Sequence, residues 1–214
     1  NLKISHTINK NWYVTLGSNR NDFQGFLGDR KGKNHIVNDE TRGYDWLPKE
    51  QWQQNALISY KKNQFRIFYK FEWLDEMIDF YDKVVQSGYN TQYESYKYGD
   101  DERYHSTRLY HHLNANGQLF SQLKYNVSAS HQYQKRIIET FRYNISDAVE
   151  MNNKEQKDQS MEVLYSIGTL SHFFKDKKYD LQVGYEAVSN KGFSIVDEEN
   201  SQKKEVSKNI DNLD

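Results

Sequence analysis

Apolar and polar residues alternate with a period of two along this chain, and that period restricts the chain to extended strands, which show successive side chains to opposite faces. From Phe65 to Trp73 the odd positions are Phe65, Ile67, Tyr69, Phe71 and Trp73, while Arg66, Lys70 and Glu72 stand at even positions beside Phe68. From Leu119 onward, Leu119, Leu123, Tyr125, Val127, Ala129 and Tyr133 oppose Gln122, Lys124, Asn126, Ser128, Ser130 and Gln132. Tyr179, Leu181, Val183, Tyr185 and Ala187 then oppose Asp180, Gln182, Gly184 and Glu186. Less regular alternation over Leu2–His6, Trp12–Leu16, Trp52–Tyr60, Thr107–Leu113 and Val163–Phe173 brings the expectation to about eight antiparallel strands.

The connections come in two kinds. Ile8–Asn11, Lys61–Gln64, Asn114–Gly117 and Phe174–Lys178 are short, polar and turn-prone, as tight hairpins require. Between these hairpins lie three long polar segments, 21–50, 75–103 and 138–159. Structureless loops of that length are unusual in a compact soluble domain. Short turns at one end and long loops at the other are the asymmetry of an outer-membrane barrel, short in the periplasm and long outside. The predicted fold is all-β, an up-and-down antiparallel meander forming a segment of a large transmembrane β-barrel. Its apolar stripe would meet lipid, and Arg66, Lys70 and Glu72 would face a watery lumen. If the short turns are periplasmic, the amino terminus and the tail from about 190 to 214 both start outside. The 214 residues then read as four hairpins of a barrel whose remaining strands lie elsewhere.

Composition agrees. Hydrophobic residues make up 36% and mean hydropathy is -1.02, yet aromatics reach 15%, with 17 Tyr, 11 Phe and 4 Trp. A disordered chain would be poor in aromatics, whereas a barrel needs apolar residues only on alternate positions, with aromatic girdles at its two interfaces. A net charge of -1 gives no reason to expect nucleic acid. The absence of Cys excludes a disulfide framework and thiolate metal sites. No apolar run is long enough for a transmembrane helix, and Asn1–Ile4 is no signal peptide.

The stretches Phe23–Arg30 and Thr41–Gln51, with the later run Phe65–Glu72, resemble TonB-dependent outer-membrane receptors of the Bacteroidetes kind. The resemblance implies a barrel of about 22 strands plugged by an amino-terminal domain. It further implies a receptor that binds a scarce ligand (siderophore, haem, vitamin or glycan) at the outer face and imports it with energy transmitted by the TonB system. The family's plug and TonB box are not found in these residues, so the expectation is a partial barrel domain over 1–214. Its partners would be the ligand, the plug, the TonB system and outer-membrane lipid.

Candidate chemistry is sparse. His105, His111 and His112 are close in sequence, but adjacent strand residues point to opposite faces and make a poor metal site. Gly28–Asn34 lacks the spacing of a phosphate loop and reads as a basic loop. Leu74, Met77, Ile78, Tyr81, Val84 and Val85 recur at helical spacing and predict a short amphipathic helix above the strand. Beyond it, Tyr89, Tyr93, Tyr96, Tyr98 and Tyr104 are interleaved with Asp100, Asp101 and Glu102. These aromatics suit stacking on a sugar or a siderophore's rings, the carboxylates suit Ca²⁺, and both equally suit a loop's own packing. No catalytic constellation emerges, so neither an enzyme nor a cofactor is expected. Two other classes fit the same alternation: a soluble antiparallel sheet that binds a ligand such as carbohydrate, and a small closed barrel with a structural or adhesion role. Solubility without detergent marks the first, and a closing terminal strand marks the second.

Overall fold

The computed structural model describes the chain except residues 29, 32–41, 121, 175–178, 198–202 and 214. In chain order the strands are β1 (Leu2–Thr7), β2 (Trp12–Phe23), β3 (Phe26–Leu27), β4 (Arg30–Lys31), β5 (Lys49–Lys62), β6 (Phe65–Phe80), β7 (Gln86–Tyr89), β8 (Ser95–Leu119), β9 (Leu123–Asn144), β10 (Val149–Phe173), β11 (Asp180–Asp197) and β12 (Lys203–Leu213). One antiparallel sheet has the order β1-β2-β5-β6-β8-β9-β10-β11-β12, with β7 paired to the outer end of β8 and β3 and β4 forming a separate ribbon. The meander expected from the alternation is therefore present.

Several local expectations are corrected. The predicted helix over 74–85 is absent: β6 runs on to Phe80, paired to β5 as far as Ile78 and to β8 as far as Phe80. A lone helix of about 12 residues is marginal in water. Here each additional strand residue gains backbone partners on two sides. The polar segment 138–159 is no loop but the outer half of the β9–β10 hairpin, closed by a turn at Ile145–Ala148 in which Asn144 Oδ1 accepts from the Asp147 amide at 3.1 Å. The loop expected at 75–103 shrinks to the connections around β7. The turn expected at Asn114–Gly117 sits instead between Leu119 and Leu123, with Phe120 at φ 58°. Asn114 and Asn116 are strand residues, and Asn114 Nδ2 donates to Asn126 Oδ1 at 3.0 Å and Ser128 Oγ at 2.7 Å across the ladder. In the tail from about 190, β11 continues to Asp197 and β12 returns beside it. The turn at 174–178 and the basic segment 28–34 fall largely outside the described residues.

Directly opposed residues of antiparallel strands share a face, so the register shows how the alternating stripes combine. On one face Leu16 lies opposite Ala56, Ala56 opposite Phe71, Leu113 opposite Tyr69 and Ala129, and Val127 opposite Ala115. The stripe continues through Leu170 to Val183. The other face carries Asn55, Lys70, Glu72, Asn114, Ser128, Gln132 and Glu186, interrupted by Leu57, Phe68, Val163 and Ile167. One apolar face and one mainly polar face therefore run across the sheet from β1 to β11, and on β12 the positions in register with the apolar face include Ser207, Asn209 and Asp211.

No second layer covers the apolar face among the described residues. Leu16 is 54% exposed, Leu164 55% and Val183 60%, while the buried apolar side chains among the described residues, Tyr44, Pro48, Tyr81 and Phe141, all lie beyond this band.

The register also fixes a slant. A row perpendicular to the strands runs through Ile4, Leu16, Ala56, Phe71, His111, His131, Leu164 and Ser189. Measured from the centre of the adjoining short turn, this row stands about six residues up on β1 and β2, about seven on β5 and β6, about ten on β8 and β9 and about twelve on β10 and β11. It climbs about one residue per strand. With about 3.3 Å per residue and about 4.8 Å between strands, level turns require a tilt of roughly 37°. Closed membrane barrels tilt their strands by about 35–45°.

Candidate functional site

The apolar face is bounded by rings. Tyr60 and Trp52 on β5, Phe65 and Trp73 on β6, and Tyr125 and Tyr133 on β9 all lie on it, each pair enclosing a span of about nine residues, the length of a tilted membrane-crossing strand. At the short-turn end Trp12 packs on Tyr60 at 4.9 Å between centroids, and Tyr60 on Phe65 at 6.1 Å. Just inside the opposite ring, His111 faces His131 at 6.0 Å, Tyr69 Oη is 2.7 Å from His111 Nδ1, and His131 Nε2 is 3.0 Å from Glu162. His112 points to the polar face against Phe68 and Tyr110, so the adjacent histidines do part as expected.

Beyond the second ring the long strands continue as a wall with polar groups on both faces. On the face continuous with Lys70 and Glu72, Tyr96 and Tyr98 lie 5.6 Å apart, and the Arg142 guanidinium sits 3.8 Å above the Tyr98 ring while its Nε donates to Asp100 at 3.1 Å. Three pleats lower, Arg136 lies 5.4 Å over the Tyr104 ring and donates to Asp158 at 2.6 Å. Asp158 is the extra residue of a β-bulge between Lys157 and Gln159, which turns its carboxylate to this face. Beside Tyr104 is a cavity of about 640 Å³ lined by Glu102, Ile138, Thr140, Lys154, Gln156 and Ile195 among others.

Of the tyrosines singled out in the sequence, the structure therefore gathers Tyr96, Tyr98 and Tyr104 on one face. Tyr89 and Tyr93 stand apart at the β7–β8 tip, 74% and 88% exposed. Arg66 lies over Phe68 at 5.6 Å, and Lys70 pairs with Glu72 at 2.7 Å on the same polar face. Sequence reasoning missed Arg136, Arg142 and Asp158, whose partners are set only by the register of β8, β9 and β10.

Tyr104 donates its hydroxyl to Glu102, and this bond together with burial pushes the phenol up to about 12. Its folded value lies above the ordinary value near 10, so the associated stability is complete below about pH 10 and is lost as pH rises from about 10 to about 12. A spectrophotometric titration of the phenolates is expected to lose one late-ionising tyrosine in Tyr104→Phe, and to show it shifted toward pH 10 in Glu102→Gln. An unchanged late phase in both variants would contradict the assignment.

On the opposite face of the wall, the segment 42–48 closes over β8 and β9. The Arg42 side chain is fully buried, donates to Asp101, and lies 5.7 Å from the Tyr81 ring and 5.5 Å from that of Tyr143. Tyr44 packs on Tyr81 at 5.6 Å. Burial pushes the Asp101 carboxyl up, against the pull of the Arg42 guanidinium beside it, and also raises the Tyr44 and Tyr81 phenols. Beside them Arg103 joins Asp79 at 2.9 Å, Glu139 at 3.0 Å and Glu150 at 2.9 Å. The Arg42 Nε and Nη1 and the Tyr44 hydroxyl are buried there without a hydrogen-bond partner, and among the described residues no cluster has the arrangement of a metal site.

No family model matches the chain, and no curated protein matches it. Among solved structures, the copper transporter OprC is similar over 96% of this chain and 38% of its own, at 10% identity and a TM-score of 0.42. BauA, the ferric preacinetobactin receptor from Acinetobacter baumannii, is similar over 99% of this chain and 35% of its own, at 11% identity and a TM-score of 0.47. The chain spans little more than a third of the length of either protein.

Proposed function

We propose that this chain is part of the wall of an outer-membrane β-barrel receptor of the TonB-dependent, Bacteroidetes kind, carrying a small ligand or glycan inward and doing no chemistry of its own. One observation carries the membrane reading: a continuous, uncovered apolar face bounded by aromatic rings about nine residues apart, backed by a polar face. In water such a patch would drive aggregation, whereas in hydrocarbon it costs nothing. The edges of β1 and β12 leave backbone groups without sheet partners among the described residues, and each unpaired group in hydrocarbon costs several kcal/mol. Further strands must therefore complete the cylinder. The receptor class rests on the sequence resemblance. In that setting the polar face lines the lumen, where Arg66, Lys70 and Glu72 meet the plug, and the wall bearing Tyr96, Tyr98 and Tyr104 borders the ligand vestibule, with Tyr89 and Tyr93 at its rim. Siderophore, haem, vitamin and glycan are the ligand classes of this proposal.

These 214 residues hold no Cys, so a single cysteine placed among them adds one labelling position to this segment. In outer membranes, Leu113→Cys and Val127→Cys are expected to resist a water-soluble maleimide and to be quenched by lipid-borne quenchers once labelled with a small fluorophore. Asn114→Cys and Ser128→Cys should do the reverse. Equal aqueous labelling of both sets would remove the membrane reading.

A further inference from the structure

A second site stands out on the apolar side, immediately above its outer aromatic ring. Tyr133 on β9 is opposite Glu162 on β10, which is opposite Lys191 on β11. One pleat further out, Lys135 is opposite Ser160, which is opposite Phe193. One pleat beyond that, Lys157 is opposite Ile137 and bends back so that its Nζ lies 4.4 Å from the centre of the Phe193 ring. Three lysines on three neighbouring strands thus surround one aromatic ring and one hydroxyl, all on the lipid-facing side of the wall. Lys157 and Lys191 are exposed and Lys135 is half-buried.

The neighbouring carboxylates are largely committed. Glu162 is held by His131 at 3.0 Å and Glu139 by Arg103 at 3.0 Å, while Asp158 turns to the other face to meet Arg136. Glu155, in the next row on the face of Lys157, and Glu162, directly opposite Lys191, are the acids that offset the cluster, leaving three cations against two carboxylates. Among the described residues neither Lys135 nor Lys157 makes an ion pair. A ring of cations one to two pleats beyond an aromatic girdle sits at the depth of lipid headgroups, where Lys side chains lay their stems on apolar surface and present their ammonium groups to headgroup anions.

We propose that Lys135, Lys157 and Lys191, arranged around Phe193, bind the phosphate groups of an outer-leaflet glycolipid. This rests on the outer-membrane reading. Phosphate oxygens would receive the three ammonium groups and the Ser160 hydroxyl, while the acyl chains run down the band past Leu164 and Tyr133. The committed occupant is a phosphorylated lipid and not free phosphate, because the site opens onto the apolar band and not onto the polar face.

The test uses the full-length protein purified from outer membranes in mild detergent, with bound lipid measured by native mass spectrometry and reconstitution into vesicles containing either bisphosphorylated or dephosphorylated lipid A. A lysine near an anionic surface contributes about fivefold to retention, so Lys→Gln at all three positions is expected to weaken retention of the bisphosphorylated lipid about 100-fold. Lys→Arg at the same positions should restore it, and Lys154→Gln on the polar face should leave it unchanged. Retention that is equal for the dephosphorylated lipid, unaffected by the triple Gln variant, or abolished by millimolar inorganic phosphate would overturn the proposal. Recovery of the protein in the soluble fraction would instead reject the membrane reading beneath it.

Discussion

Arg42→Ala is expected to free the segment 42–48 from the sheet while leaving the strands themselves intact. The Arg42 and Asp101 side chains are both fully withdrawn from water and bonded to each other, so removing one leaves the other charge buried without its partner. Breaking a pair of this kind costs about 3–5 kcal/mol, far beyond the effect of an exposed pair. Arg42 also fills the space above Gly99, where any added Cβ would collide with its guanidinium, so Gly99→Ala should act in the same direction. Replacing the pair together, Arg42→Met with Asp101→Leu, should recover much of the loss, because neither charge then needs solvation. Hydrogen exchange followed by mass spectrometry checks this. Amides from 43 to 47, and the Asp82 amide that donates to Asp101 Oδ1 at 3.1 Å, should exchange faster by two or more orders of magnitude in Arg42→Ala, while amides of β8 below Leu109 keep their protection. Unaltered exchange at both places would show that the pair does not hold the segment.

The contrast between that segment and the membrane band explains what was legible in the sequence. Where one face meets lipid and the other water, selection by solvent writes a period of two, and Phe65–Trp73 and Leu123–Tyr133 could be read directly. Above the second ring both faces meet water, the period disappears, and Met151–Gln159 reads as a loop although it is hydrogen-bonded to β9 along most of its length. The misplaced turn has a related cause. Asn114, Asn116 and Gly117 are turn formers by composition, but on the polar face Asn114 bonds across the ladder and Asn116 donates to Asn114 along the strand, while Gly117 makes room for the Tyr125 ring opposite. The helical spacing of Leu74–Val85 was genuine as a pattern, yet β5 flanks these residues as far as Ile78 and β8 as far as Phe80, supplying partners that a helix in water would lack. Tyr98 and Tyr104 were visible as aromatics, but Arg142 and Arg136 above their rings are about forty and about thirty residues away in sequence, a pairing that only register produces.

Neighbouring residues on β8 give the sharpest energetic test of which face meets lipid. Leu113 lies opposite Tyr69 and Ala129, at the centre of the spans bounded by Phe65 and Trp73 and by Tyr125 and Tyr133, whereas Asn114 faces Phe68 and Ser128 on the other side of the same backbone. An arginine facing the bilayer midplane of a barrel costs about 2–4 kcal/mol, since its guanidinium must be drawn to an interface or hydrated by a local defect. Leu113→Arg is therefore expected to lower the stability of the full-length barrel by that amount, read as a shift of the urea midpoint for folding into vesicles. Asn114→Arg places the same group in a hydrated lumen at the cost of two cross-strand hydrogen bonds, about 1–2 kcal/mol. Leu113→Asn, which adds polarity without charge, should fall between the two arginine variants. Lipid thickness supplies an independent handle: in thinner bilayers the Leu113→Arg penalty should shrink because the interface lies closer, while the Asn114→Arg penalty should not move. If this face met water, Leu113 would already be solvated at 44% exposure, and Leu113→Arg would be as mild as Asn114→Arg in every lipid.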